Sequence, residues 1–130
     1  MNSNVAINDS ENLARFIFVS NHIRSDGTVK PDAFIPPKTL DLSVTRHLRL
    51  TEEQIWEAGI VAKGQRVVEL YGRADVIAQI VRKESLDVIS DEPPPNHAVI
   101  VGWASDKPLQ KMKAQFLAAK AKFTQNPDRL

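Results

Sequence analysis

The chain has 130 residues and a formal net charge of +1, with 17 Lys and Arg against 16 Asp and Glu, so no overall field draws it to nucleic acid or anionic lipid. Its 42% hydrophobic and 25% charged residues are the proportions of one soluble globular domain and not of a disordered chain. The absence of cysteine excludes disulfides, thiolate metal sites and a cysteine nucleophile, and a cytoplasmic location is expected.

Residues 1–12 are polar and aperiodic and read as a flexible arm ahead of a single globular body at 13–124, with 125–130 a frayed tail. The first residues lack the basic start and apolar centre of an export signal, and no apolar run approaches the roughly 20 residues that span a bilayer. Ala14-Arg15-Phe16-Ile17-Phe18-Val19 is short, β-branched and aromatic, which predicts a central strand. His22 follows, just before an Asp26-Gly27 turn in which glycine accepts positive φ. Prolines interrupt Lys30 to Pro37, so that stretch reads as an ordered loop pinned by Phe34 and Ile35 and able to edge a pocket.

Leu40 to Leu48 alternates, placing Leu40, Leu42 and Val44 on one face. If the alternation persists, Arg46 shares that apolar face, where a guanidinium needs a carboxylate or another acceptor. Thr51-Glu52-Glu53-Gln54 has capping-box spacing and predicts a helix ending near Gly64, with Trp56 in its core-facing set. Arg66 to Tyr71 is a further strand candidate broken by Gly72, which puts Arg73 and Asp75 at an element boundary. The spacing of Val76, Ile77, Ile80 and Val81 predicts a helix over 76–84, and Asp87 to Ser90 a short strand.

Pro93-Pro94-Pro95 then delivers His97 to the mouth of the most apolar strand candidate, His97 to Trp103. Ser105-Asp106-Lys107-Pro108 carries helix-start signals, and Leu109, Met112, Phe116, Ala119 and Phe123 predict a long C-terminal helix facing the core with that stripe. The expected fold is α+β: one domain, a mixed sheet of about five strands, two or three helices, and the C-terminal helix packed on the sheet.

No phosphate loop, nucleophile elbow, dinucleotide fingerprint or helical histidine pair is present. What remains is a polar set at strand ends: His22, Arg46, His47, Arg73, Asp75 and His97. One reading makes His22 and His97 acid–base groups and Arg46 and Arg73 anion clamps of an enzyme acting on a nucleotide or nucleic-acid phosphate. The other makes Arg46 or Arg73 a buried tie to Asp75, with each histidine bonded to a backbone carbonyl. A histidine metal site completed by Asp26, Asp32 or Asp75 lacks local ligand spacing, so neither metal nor cofactor is expected.

The series Ala14 to Phe18, His22, Gly27, Val29 to Pro37, Leu42 to Arg46, Trp56, Gly72 to Asp75 and Asn96 to Gly102 resembles a family of small bacterial proteins labelled hypothetical, and it spans most of the chain. The resemblance implies a compact bacterial domain and carries no catalytic residue over. The leading expectation is a binding module for a small ligand or protein partner, with Phe34 and Asp75 touching ligand in a pocket edged by the Phe34–Pro37 loop and His97. A homodimer through Met112, Phe116 and Phe123 is the accompanying partner expectation.

Overall fold

A computed structural model describes residues 6–129. In chain order its elements are β1 Asn12–Ile17, β2 Leu42–Arg46, α1 Glu52–Lys63, β3 Gly72–Ile77, α2 Ala78–Lys83, β4 Asp87–Ser90, β5 His97–Val101, α3 Lys107–Lys120 and β6 Lys122–Gln125. The strands form one six-stranded sheet in the order β4-β5-β2-β1-β3-β6, and every pairing is antiparallel. The fold is α+β as expected and its six strands are close to the five or so expected, but the sheet is antiparallel throughout and not mixed. Among the described residues no helix is long and apolar enough to cross a membrane.

Three departures, two strands gained and one lost, account for the strand count. The apolar spacing from Val76 predicts a helix, yet β3 runs on to Ile77 because all six of its residues pair with β1, from Ile17↔Gly72 to Asn12↔Ile77. Tertiary pairing outweighs local periodicity here, and only Ala78–Lys83 remains helical. At the C-terminus, Ala121 turns extended after α3, and Lys122–Gln125 folds back as β6 against β3. Arg66 to Tyr71, expected as a strand, instead crosses from α1 to β3 outside the strand ladders.

Several local signals are realised. Gln54 N–H donates to Thr51 Oγ1 at 3.2 Å while Thr51 N–H donates to the Gln54 side chain at 2.9 Å, and Gly64 ends α1 at φ +60. Asp106 caps α3 by accepting from Leu109 N–H at 3.0 Å. The three prolines belong to the β4–β5 hairpin loop, with His97 N–H bonded to Pro94 O and Asp91 N–H to His97 O.

Strand alternation divides the side chains between two cores. Leu13 and Ile17 of β1, Leu42 and Val44 of β2, Ala74 and Val76 of β3 and Ala98 and Ile100 of β5 form the larger core with α2, α3 and the 3-10 turn Pro31–Phe34. Ala14 and Phe16 face the other way and meet Ile55 of α1 and Leu70. The C-terminal helix does pack on the sheet, but through Gln110, Ala114, Leu117 and Ala118 and not through the predicted stripe. Small residues let α3 settle close on Ala33 and Phe34, which turns Met112 outward to 59% exposure.

Ion pairs tie the chain ends to this body. Arg46, fully buried on the apolar face of β2, makes a forked contact with Glu11, with Nη2 at 2.9 Å from Oε1. Arg82 reaches Asp9 and Asp87, and Ile7 is buried. Residues 6–12 are therefore anchored where a flexible arm is expected; residues 1–5 of that arm lie outside the described residues. The expected tail is likewise held through residue 129: Asn126 is buried and donates to Leu70 O at 2.9 Å, and Arg129 pairs with Glu69.

A Cβ on Gly72 would lie 2.5 Å from Thr124 O and 2.6 Å from the Phe123 ring. Gly72→Ala should therefore cost roughly 1–3 kcal/mol in a urea titration, whereas Val67→Ala, at a position 102% exposed, should stay within about 0.5 kcal/mol of wild type. Glu11→Ala removes the carboxylate facing a buried guanidinium and should cost on the order of 3 kcal/mol in the same titration.

Candidate functional site

The helix α1 packs over Ala14, Phe16 and Leu70 and so covers only part of the second sheet face. Beside it, over β2 and β5, is a cavity of about 700 Å³, within the size range of small-molecule sites. Its floor includes Ser43, Thr45 and His97, the last two directly paired across β2 and β5. One flank of α1 contributes Gln54, Ala58 and Val61, the hairpin loop contributes Pro94 and Pro95, and Phe16, Phe18 and Leu50 add apolar surface.

Arg15 also lines this cavity. The ladder between β1 and β2 holds only two pairs, Leu13↔Arg46 and Ala14↔Thr45. Where the ladder ends, the Arg15 guanidinium bridges the strands, with Nε donating to Ala33 O at 2.8 Å and Nη1 to Ser43 O at 3.1 Å. Among the described residues no carboxylate stands within ion-pair distance of it. Burial pushes its pKa down to about 10, and the nearby Arg66 charge acts in the same direction. Arg66 is a second lining residue: its guanidinium lies 4.6 Å from the Phe18 ring centroid and donates to Lys63 O and Ala62 O at the end of α1. An exposed glutamate, Glu57, supplies the opposing charge in the lining.

The sequence-predicted residues occupy separate places. His97 lines the cavity, with Nδ1 engaged by Asp91 at 2.9 Å from its carbonyl oxygen and 3.2 Å from Oδ2. Arg46 lies on the opposite face of the sheet, in the forked pair with Glu11. Arg73 shares the His97 face, but the register His97↔Thr45, Thr45↔Ala14, Ala14↔Asp75 puts three strand spacings, about 14 Å, between the His97 and Asp75 positions. His22 closes the 3-10 turn Ser20–His22, and it too is absent from the cavity lining. The four residues of the phosphate-enzyme reading thus do not converge.

Asp75 is occupied in a tie. Arg73 Nε donates to its Oδ2 at 3.0 Å, and His47 Nε2 stands 3.1 Å from its Oδ1. The same Arg73 donates to both oxygens of Glu52 at 2.9 and 2.7 Å and sits 4.7 Å from the Trp56 ring centroid, fastening the start of α1 to β3. Burial works to lower the Arg73 pKa, and its bonds to Glu52 and Asp75 outweigh that and leave it raised. Phe34, expected to touch ligand, is fully buried in the larger core beside α3. Phe34 therefore edges no pocket with His97, which instead lines the cavity beside α1.

Arg15 and Arg66 are absent from the sequence-derived site. Arg15 carried a usable signal, a lone guanidinium inside an apolar strand, the same feature that singles out Arg46. Among the described residues no group of three His, Asp or Glu side chains is placed to hold a metal ion. No protein-family model, curated protein or solved structure matches the chain.

Glu52, Asp87 and His22 are among the groups that impose a pH dependence on folding. Hydrogen bonds from Arg73 hold Glu52 below the usual carboxylate range, those from Arg82 and Val88 N–H do the same for Asp87, and burial lowers the His22 pKa. A folded-state pKa below the unfolded one gives stability that is complete above the unfolded value and lost as pH falls through the folded value. Stability should therefore decline first below the ordinary histidine range and again within and below the carboxylate range. Glu52→Gln should reduce the second decline and cost up to about 1 kcal/mol at pH 7, since the pair is solvent-screened on the Glu52 side. Urea midpoints from pH 7 to pH 3 check both, with Trp56 emission reporting the α1 contact.

Proposed function

We propose that this chain is a small-molecule-binding module whose ligand enters the cavity between α1 and the β2–β5 half of the sheet. One observation carries the reading: Arg15 lines an apolar-walled cavity, and among the described residues its guanidinium is bonded to two backbone carbonyls and paired with no carboxylate. Buried cations elsewhere in the fold are spent on carboxylates, as Arg46 is on Glu11 and Arg73 on Glu52 and Asp75. An arginine kept out of such a pair, beside aromatic and aliphatic surface, is the mix of a few convergent polar groups and apolar walls by which small ligands are held. His97 supports the same site, because Nδ1 is taken by Asp91 and Nε2 is left for a ligand.

The test is amide chemical-shift mapping of the labelled protein against a fragment library. Shifts should cluster at residues 15–18, 43–45, 54–62 and 94–97, and should weaken in Ala58→Phe, whose ring would take up part of the space while the remaining spectrum stays folded. Shifts scattered over the surface, or none from any fragment, would overturn the reading.

A further inference from the structure

We infer that the ligand class of this cavity is an organic monocarboxylate with an apolar or aromatic body, its carboxylate held by Arg15 with Arg66 beside it. The inference rests on the small-molecule reading above and narrows it.

The donors set the class. A guanidinium carries five N–H groups. Arg15 spends Nε on Ala33 O and part of Nη1 on Ser43 O, which leaves Nη2 and the remainder of Nη1 for a ligand. Arg66 spends Nε and part of Nη2 on the carbonyls closing α1. A planar two-oxygen anion is matched by such a pair of parallel N–H groups.

A phosphate monoester fits worse on three counts. Phosphate sites are built on backbone N–H groups, at glycine-rich loops or helix N-termini. The lining here holds no glycine, and its one first-turn residue of α1, Gln54, has its N–H taken by Thr51 Oγ1, while Ala58, Val61 and Ala62 belong to the C-terminal half of α1, whose dipole is negative. Glu57 adds a negative charge to the same wall, so the fixed charges Arg15, Arg66 and Glu57 sum to one positive, which balances a monoanion and not a dianion. The remaining walls of Phe16, Phe18, Leu50 and Val61 take the body of the ligand, and the two phenyl rings favour an aromatic one.

The experiment compares 4-phenylbutanoate, 4-phenylbutanamide and 3-phenylpropyl phosphate by titration calorimetry at pH 7. The carboxylate should bind at least tenfold tighter than either analogue. Arg15→Met should reduce that preference to near equality, and Arg66→Gln should reduce it several-fold while keeping Arg15 and its two carbonyl bonds, so the result does not depend on Arg15→Met folding. Equal affinity for acid and amide, tighter binding of the phosphate, or a preference unchanged in Arg66→Gln and a folded Arg15→Met would overturn the inference and leave the binding module standing. Silence from all three compounds while fragments still map to the cavity would also overturn it. Silence from the whole fragment library would remove the binding module as well, so the two failures are distinguishable.

Discussion

β1 is the strand on which the rest of the molecule depends. It is paired along both edges, to β2 and to β3, and buried on both faces, with Leu13 and Ile17 in the larger core and Ala14 and Phe16 under α1. A strand so enclosed has no solvent face on which to place a charge, yet Arg15 stands at its middle. The fold accommodates that charge by parting β1 from β2 after two pairs and letting the guanidinium supply hydrogen bonds across the gap. The opening in the sheet and the cation in the cavity have one cause.

Coverage of the second face explains where the cavity lies. One helix cannot roof six strands at the usual spacing of about 4.8 Å, and α1 is fastened over the β1–β3 half by the bonds of Arg73 to Glu52 and Asp75. The β2–β5 half is left with Ser43, Thr45 and His97 as its floor, polar side chains that tolerate water as well as a ligand. Arg46 and Arg73 are structural because their carboxylates are built in; Arg15 differs in having carbonyls alone.

The sequence was most legible where one local signal decided the outcome. Thr51 and Gln54, Gly64, and Asp106 with Pro108 mark helix ends by short-range hydrogen bonding, and each helix end lies where those residues put it. The alternation through Leu42 and Val44 correctly carried Arg46 to an apolar face in need of a carboxylate, although nothing local identified Glu11, 35 residues earlier, as the partner. Illegible features were those set by distant partners. Ile77 is strand and not helix because Asn12 pairs with it, and Phe123 belongs to a strand because Ala74 does. The site residues scattered for the same reason: His22, Arg46, Arg73 and His97 all stand near element ends, but face and strand order, which sequence does not encode locally, separate them. The buried stripe of α3 was displaced because alanines at 114 and 118 permit a closer approach than the larger side chains on the neighbouring face.

The two outer strands of the sheet have a bearing on solubility. An exposed strand edge is a template for pairing with another chain, and long, flat, apolar edges promote aggregation. Both edges here are short: β4 and β6 have four residues each. Asp87 begins the first and Lys122 the second, and Pro127, just beyond β6, has no N–H with which to extend the ladder. These ends discourage runaway strand addition to the open sheet.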